Sequence, residues 1–370
     1  MKITHVEAIH LRLPEVREIP DGTQDCLLVA VHTDAGITGL GEVVSCSYVA
    51  RAVVESPRSA PFRHGLAHIV RGMDPMDTEG IMAAMIAGTA WYGPGGVARH
   101  TMSGVDMALW DIQGKVAGQP VRRLLRPDAV DAVPCYASVL WPDRPQGVAA
   151  SARQFVEAGY RAVKYGWGPM GPDLRLDEEL VAAARDALGP RVTLMVDAGR
   201  CWDVHGALAR VERFAPYDIF WLEEPLHPYD TRGYGELSAA SSISIAAGES
   251  VTLLEEYEQL LQIGRIHVVQ PDLGRVGGIT PGQRIAAMAQ RTGARPVPHA
   301  FGTGVLLAAS AQWTAAAAAP LTEYTRAPSP LAQQLVRHSM RFAGGELVLD
   351  DTPGLGVELD PDVLERYRVA

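Results

Sequence analysis

Residues 192–225 read VTLMVDAGRCWDVHGALARVERFAPYDIFWLEEP. The stretch begins and ends with a short apolar strand, and each strand closes on a carboxylate, Asp197 in the first and Glu223 in the second. The two carboxylates lie 26 residues apart, which is close to the length of one strand–helix repeat. Strands that alternate with helices favour a parallel sheet, so the stretch indicates one unit of a repeating α/β domain.

The same alternation extends from about residue 133 to residue 325, where helical patterns such as DEELVAAARDAL at 177–188 separate short strands. Eight strands in this arrangement predict a (β/α)8-type barrel. The strands are VPCYASVL, YRAVKYG, VTLMVDAG, IFWLEEP, ISIAAGES, IHVVQPD, RPVPHAFG and PLTEYT.

The residues on either side of this barrel have a different character. MKITHVEAIHL and CLLVAVHTDAGITGLGEV read as strands joined by turns, and helical patterns follow them. We therefore predict an α+β capping domain over residues 1–130 and a barrel domain over residues 131–340. Residues 341–370 read as short strands and turns, and we expect this segment to return to the capping domain.

The composition limits the partners and the compartment. The 370-residue chain has 33 Lys and Arg against 43 Asp and Glu, a formal charge of −10, which argues against nucleic acid and anionic membranes. Its four cysteines are scattered and suit neither a disulfide framework nor a zinc site. The first residues lack the apolar core of a signal peptide, and no apolar run is long enough to span a bilayer. A cytoplasmic location is therefore expected.

A polar residue closes seven of the eight strands, and successive members of this polar ladder are 23–33 residues apart. Because the C-terminal ends of barrel strands meet at one mouth, where active sites lie, all seven side chains should face one cavity. Isolated charges are rarely buried unless they are paired or bind a metal, so the polar ladder indicates a functional site. Its members are Lys164, Asp197, Glu223, Glu249, Asp272, His299 and Glu323.

Three consecutive members of the polar ladder, Asp197, Glu223 and Glu249, are carboxylates. An all-oxygen ligand set with open positions suits Mg²⁺, and the trio contains no histidine or cysteine that would favour zinc. The alternative is that each acid caps the following helix, where the helix dipole favours negative charge. The regular spacing of all three favours the metal site.

The remaining members suit acid–base work. An aspartate beside an imidazole fixes its tautomer and strengthens it as a base, so Asp272 and His299 form a candidate catalytic dyad; a structural histidine is the alternative. The other histidines considered, His205, His227 and His267, lack such a context and read as structural or surface residues. Lys164 either extends to solvent or, facing the three carboxylates, holds a substrate oxygen and stabilises negative charge.

Together these motifs resemble the enolase superfamily, and within it the mandelate racemase subgroup. The resemblance covers nearly the whole chain. Its metal-ligand motifs are VDAG at 196–199, WLEEP at 221–225 and AGES at 247–250; its dyad motifs are QPDLGRVGGIT at 270–280 and PVPHAFGTG at 296–304; ALWD at 108–111 and PGLGVEL at 353–359 also fit.

The resemblance implies an α+β capping domain on a (β/α)7β barrel. It also implies that the reaction begins with removal of the proton α to a carboxylate, and that Mg²⁺ stabilises the resulting enediolate. Glu323 matches the position that hydrogen-bonds the substrate carboxylate, and the family's habit implies a homo-oligomer.

The second strand departs from the mandelate racemase pattern. That pattern has Lys-x-Lys, with the second lysine as a base, whereas this chain has Lys164, Tyr165 and Gly166. Branches with a basic lysine on the sixth strand are set aside, because that strand offers Asp272 instead. Lysine followed by a Trp-Gly-Pro turn resembles the rhamnonate dehydratase branch. There His299 alone would take the α-proton and return it to the departing β-hydroxyl, giving a 2-keto-3-deoxy acid.

Two other functions stay open. In a racemase, epimerase or cycloisomerase, Lys164 would serve as the second base. A catalytically silent binding protein is allowed by the missing lysine but disfavoured by the intact carboxylate trio and dyad. Strand alternation should turn Tyr165 away from the side that Lys164 faces, which favours a packing role for it.

The expected substrate is a sugar acid, either an aldonate or an aldarate. The resemblance implies that loops of the capping domain, at residues 15–25 and 44–50, close over the barrel mouth and contact the distal hydroxyl groups. Trp167 and Arg200 are candidate substrate-binding residues, and Trp202 could also line the pocket. A structural role is the favoured alternative for each of these three side chains.

Overall fold

The computed structural model describes residues 1–338 and 340–369. The chain opens with an antiparallel sheet in the order β1-β2-β3, covered by helices. The elements of this first part are β1 (Ile3–Arg12), β2 (Asp25–Thr33), β3 (Thr38–Val43), α1 (Ser47–Glu55), α2 (Leu66–Val70), α3 (Thr78–Gly88), α4 (Val97–Ala117) and α5 (Val121–Leu125). An α+β layer at this end of the chain is what the sequence predicts.

Strand β3 lies directly against the backbone of α4, and this contact requires glycine. A Cβ atom at Gly41 would lie 2.0 Å from the carbonyl oxygen of Gly104, and one at Gly39 would lie 2.0 Å from that of Ala108. The absence of side chains therefore sets the distance between the sheet and the long helix.

The second part is a barrel of eight parallel strands that alternate with seven helices. Its strands follow one another around the barrel from β4 to β10, and β11 pairs with β4. The fold is therefore (β/α)7β, as the resemblance implied. The elements are β4 (Ala132–Leu140), α6 (Pro145–Glu157), β5 (Ala162–Gly166), α7 (Leu174–Leu188), β6 (Thr193–Asp197), α8 (Val204–Phe214), β7 (Ile219–Glu223), α9 (Thr231–Ala240), β8 (Ser244–Ala247), α10 (Leu254–Gln262), β9 (Val268–Val269), α11 (Ile279–Thr292), β10 (Arg295–Pro296), α12 (Gly304–Ala317) and β11 (Thr322–Thr325).

The period of two along each strand positions the polar ladder. Ala162, Met195 and Trp221 pack together inside the barrel, in one apolar cluster. Each of them is followed two residues later by a ladder residue, whose side chain consequently also points inward, at the end of its strand. Tyr165 has the opposite parity and joins the apolar layer between the strands and the helices.

The last part of the chain contacts both the barrel and the capping sheet. Strands β13 and β14 form a hairpin whose second strand pairs with β4, and β12 pairs with β15. Beyond α14, Val369 N donates a hydrogen bond to His10 O in β1. The boundaries at residues 130 and 340 stay predictions. The elements are α13 (Pro330–Gln333), β12 (Val336–His338), β13 (Met340–Ala343), β14 (Glu346–Leu349), β15 (Val357–Leu359) and α14 (Pro361–Tyr367). No helix in the described residues is long and apolar enough to cross a bilayer.

Two buried acids from the first part of the chain accept hydrogen bonds from the N-terminal turns of barrel helices. Glu42 accepts hydrogen bonds from Thr303 N, Thr303 Oγ1 and Leu306 N at 2.9, 2.6 and 2.9 Å at the start of α12. Asp106 in α4 accepts one from Thr280 N at 3.0 Å, in the first turn of α11. The first backbone N–H groups of a helix lack acceptors within the helix. Glu42 and Asp106 provide such acceptors from the first part of the chain.

We expect Glu42→Gln to lower the free energy of unfolding by about 1–3 kcal/mol, because the new amide N–H₂ faces donors that then lose their acceptor. Urea denaturation of the purified protein measures this change. A matched control is Glu79→Gln, which breaks the exposed pair between Glu79 and Arg284 (2.6 Å) across the same contact and should cost under about 1 kcal/mol. Equal effects of the two variants would contradict the capping role of Glu42.

Candidate active site

The structure brings the whole polar ladder to one mouth of the barrel. Four members lie within strands, and Glu249, Asp272 and His299 follow the ends of β8, β9 and β10 by two or three residues. A cavity of about 150 Å³ opens at this mouth. Five ladder residues line it, and Glu223 and Asp272 lie behind them, fully buried. The lining members are Lys164, Asp197, Glu249, His299 and Glu323.

The three carboxylates predicted as metal ligands form one cluster. Asp197, Glu223 and Glu249 each offer an oxygen, and these oxygens lie within 4.8 Å of one another. The alternative interpretation as helix caps is wrong for the first two, because α8 and α9 are capped by Asp203 and Asp230. The third does not cap α10, whose N-cap position is four residues further on.

The charge balance of this cluster favours a cation. Burial and the neighbouring Glu223 and Glu249 raise the pKa of Asp197 well above its usual value. Lys164 is the lysine of the site, with its Nζ 2.5 Å from Glu223 Oε1, 3.0 Å from Glu323 Oε1 and 3.9 Å from Asp197 Oδ2. Although burial opposes its charge, these carboxylates raise the pKa of Lys164 well above its usual value. Lys164 and His299 face the five carboxylates of the polar ladder, so the acidic groups outnumber the basic ones, and an all-oxygen donor set fits a hard divalent ion.

Two residues that the sequence reasoning missed hold Glu223 in place. Its Oε2 accepts hydrogen bonds from Trp221 Nε1 at 2.9 Å and from Gln270 Nε2 at 2.7 Å. Such supporting donors orient a metal-binding carboxylate. Strand parity could have found Trp221, which lies two residues before Glu223 on the same strand face. Gln270 opens the QPDLGRVGGIT motif, but nothing local indicates its partner.

The predicted dyad is present. His299 Nδ1 lies 2.6 Å from Asp272 Oδ2, and Gly274 N donates to the other oxygen of that aspartate at 2.7 Å. An aspartate acceptor assigns the proton to Nδ1, so Nε2 faces the cavity, 3.2 Å from Glu249 Oε2. Burial disfavours the charged imidazolium. The surrounding carboxylates nevertheless raise the pKa of His299 well above its usual value, and Glu249 has the largest effect among them.

Glu323 lies between the lysine and the histidine. Its Oε2 accepts a hydrogen bond from Ala300 N at 2.5 Å, and its Oε1 faces Lys164 Nζ. Although burial opposes ionisation, Lys164 and His299 lower the pKa of Glu323 to about 2. Glu323 is therefore ionised in the free site and can only accept hydrogen bonds there.

The position of the missing second lysine has no room for a side chain. A Cβ atom at Gly166 would lie 2.7 Å from Asp197 Oδ2 and 2.8 Å from Asp197 Cβ, and real Cβ atoms do not approach other heavy atoms so closely. Tyr165 does not replace the lysine, because its hydroxyl donates to Ser151 Oγ at 3.1 Å and its ring stacks on Trp141, away from the cavity.

Of the other candidate substrate-binding residues, some line the cavity and some lie outside it. Trp167 lines the cavity. Arg200 is not among the lining residues and lies over the Trp167 ring, 4.9 Å from its centroid, so its binding role stays a prediction. Trp202 is buried and donates to Gly171 O at 3.1 Å, which fits a structural role. Of the two predicted loops, residues 15–25 contribute Pro20 and Gly22 to the lining, and residues 44–50 contribute Val44.

Comparison with known proteins agrees with this fold and site. Residues 15–125 match the family model described as the mandelate racemase / muconate lactonizing enzyme N-terminal domain. Residues 147–363 match the model described as enolase C-terminal domain-like. The chain therefore belongs to the enolase superfamily, in its mandelate racemase group.

Individual relatives agree over almost the full length. The chain is 32% identical to D-galactarolactone cycloisomerase from Agrobacterium fabrum, over 93% of this chain and 91% of the relative. It is also 32% identical to L-rhamnonate dehydratase from Saccharopolyspora erythraea, over 91% and 84%. A solved structure described as a predicted mandelate racemase from Rhodobacter sphaeroides superposes with a TM-score of 0.91 at 34% identity, over 100% of this chain and 95% of that one.

Proposed function

We propose that the protein is a Mg²⁺-dependent acid sugar dehydratase. It would remove the proton α to the substrate carboxylate, expel the β-hydroxyl and form a 2-keto-3-deoxy acid. The observation that carries this proposal is the single acid–base group of the dyad. His299 Nε2 faces the cavity, while Asp197 leaves no space for a side chain at Gly166, the position of the second lysine in the mandelate racemase pattern. A one-base site suits elimination better than inversion.

The residues fit one order of events. Asp197, Glu223 and Glu249 would hold Mg²⁺, which supplies Lewis-acid stabilisation of the charge that develops on the substrate carboxylate. Glu249 is the carboxylate that most raises the pKa of His299. Its effect on that pKa would be weaker when Glu249 binds the metal ion. His299 Nε2 can then accept the α-proton. The electron pair of the broken C–H bond forms a double bond between the α-carbon and the carboxylate carbon, and the charge moves onto the carboxylate oxygens of the resulting enediolate.

The enediolate collapses as His299 returns the proton to the β-hydroxyl, which leaves as water, and the enol product tautomerises to the ketone. Lys164 stabilises negative charge on a substrate oxygen throughout. Glu323 accepts hydrogen bonds from substrate hydroxyl groups in its ionised form. If it hydrogen-bonds the substrate carboxylate, the role that the resemblance implies, it must take up a proton when substrate binds.

The test is a screen of aldonates and aldarates with Mg²⁺, read by detection of 2-keto acids and by product mass. We expect at least one acid to give a product lighter by one water. Chelation of the metal should abolish this turnover, and added Mg²⁺ should restore it. Turnover that survives full metal removal would refute the carboxylate site. Solvent deuterium entering at the α-carbon of the screened acids, without any loss of water, would refute dehydration.

A cycloisomerase is the second candidate, and the similarity to D-galactarolactone cycloisomerase favours it. Such an enzyme can use the same α-proton abstraction, but the departing oxygen belongs to a ring of the substrate and stays bonded to it. The two candidates are separated by mass, because ring opening by this route leaves the mass of the product unchanged and dehydration lowers it.

A further inference from the structure

Glu249 is held differently from the other two predicted metal ligands. Gly199 N donates to Asp197 Oδ1 at 2.9 Å, and Glu223 accepts the two side-chain hydrogen bonds described above. Glu249 follows the end of β8 by two residues. Its buried Oε2 lies beside the imidazole of His299 and has no hydrogen-bond donor within the described residues. The place of this carboxylate is therefore set in large part by how its main chain is held.

The main chain on either side of Glu249 is tied to the barrel. Tyr257 Oη donates to Gly248 O at 2.7 Å. Ser250 Oγ donates to the buried carboxylate of Glu224 at 2.6 Å. These contacts fix the neighbours of Glu249 and leave its own carbonyl oxygen to a donor from another segment.

Arg275 joins that carbonyl oxygen to the capping domain. Its Nε donates to Glu249 O at 2.8 Å, and its Nη1 donates to Val44 O at 3.3 Å. Val44 directly follows β3 and lines the cavity; we call residues 44–50 the cap loop. One planar guanidinium thus connects the main chain of a metal ligand to a cavity-lining residue, in a fixed fork that a lysine ammonium does not reproduce.

The turn that carries Arg275 also holds the dyad. Gly274 N donates to Asp272 Oδ1 at 2.7 Å, and Arg275 N donates to Asp272 O at 2.9 Å. On its other side, Gly274 O accepts a hydrogen bond from Val44 N at 3.1 Å. The cap loop therefore rests on the same turn that positions the aspartate of the dyad and presents the arginine to the metal ligand.

We propose that Arg275 is a positioning residue that couples metal binding at Glu249 to the order of the cap loop. This proposal rests on the proposed function, because it takes Glu249 as a ligand of Mg²⁺. When Glu249 binds the ion, the main chain to which Arg275 donates is fixed, and the guanidinium holds Val44 in place beside the cavity. Because such coupling is reciprocal, a substrate that orders the cap loop in turn tightens the binding of Mg²⁺.

Hydrogen exchange of backbone amides, read by mass spectrometry on a peptide that covers the cap loop, measures this coupling without turnover. Mg²⁺ alone, at a concentration that calorimetry shows to be saturating, should slow exchange in the wild-type cap loop by roughly 10-fold. Arg275→Lys keeps the charge and loses the fork, so the slowing should fall below about 2-fold. Arg284→Lys is the matched control, because Arg284 pairs with Glu79 across the contact between the same two parts and should leave the response unchanged.

A kinetic measurement separates positioning from a merely structural role. With the best acid from the screen, Arg275→Lys should raise KM and the dissociation constant of Mg²⁺ by about 10-fold each, with kcat at saturation within about 3-fold of wild type. Unchanged KM and Mg²⁺ affinity in this variant would contradict the proposal. Equal slowing of exchange in wild type and Arg275→Lys, or no slowing in wild-type protein that binds Mg²⁺, overturns it and leaves the proposed function standing. If the wild type binds no Mg²⁺, the proposed function fails instead.

Discussion

Replacing His299 with asparagine is expected to lower kcat by about 10³-fold, because the cavity then lacks the group that takes and returns the proton. The measurement is kcat for the best acid found in the screen, together with deuterium exchange at the α-carbon. Both should fall together, since the same nitrogen serves both steps. Mg²⁺ affinity, measured by calorimetry, should change little, because His299 is not one of the three carboxylate ligands.

His205→Asn is the matched control. His205 is exposed on α8, outside the cavity lining, and its substitution should leave kcat unchanged. If His299→Asn retains turnover, the dyad is not the acid–base group of the reaction. Loss of turnover with continued α-proton exchange would assign proton abstraction to another residue, with Lys164 as the candidate, and would favour the two-base alternatives.

Gly166→Lys, which restores Lys-x-Lys on the second strand, is expected to lower kcat/KM by about 100-fold or more and to add no racemase activity. The reason is steric. Any Cβ at this position meets the carboxylate of Asp197, and displacement of a reacting group by about 1 Å can cost this much. Gly166→Ala separates the steric effect from the charge and should show the same direction, with weaker Mg²⁺ binding in both variants.

Gly95→Ala serves as the control for adding a methyl group. A Cβ at Gly95 would meet its nearest neighbour, Thr252 Oγ1, at an ordinary 3.4 Å, so activity and Mg²⁺ affinity should stay at their wild-type values. The contrary outcome for Gly166→Lys is inversion at the α-carbon, detected by chiral analysis, with normal Mg²⁺ affinity. That result would show that the site tolerates a second base and that the proposed one-base mechanism is not imposed by Asp197.

Much of the site was predictable because it follows local rules. Asp197 and Glu223 occupy the ends of neighbouring strands, one strand–helix repeat apart, and the parity of a strand decides which side chains point into a barrel. The same rule correctly turned Tyr165 outward. The pairing of Asp272 with His299 followed from neighbouring strands, since the C-terminal ends of parallel strands meet at one mouth.

Contacts between distant parts of the chain were not predictable in this way. The capping of α12 by Glu42 joins residues 261 positions apart, and no local pattern around Glu42 distinguishes it from a surface acid. Gln270 is a similar case, because its role depends on Glu223, which faces it in the folded chain. Arg200 lies over the Trp167 ring, outside the lining residues, so its predicted role in substrate binding stays a prediction.

By itself the sequence determined the eight-strand barrel, the polar ladder and the dyad, because strand period, repeat length and side-chain chemistry are all local properties. Only the tertiary structure decided that Asp197 fills the space beside Gly166 and that Glu42 caps α12. The physical reason is that both depend on close packing, in which distances of 2–3 Å between residues far apart in sequence determine which groups fit.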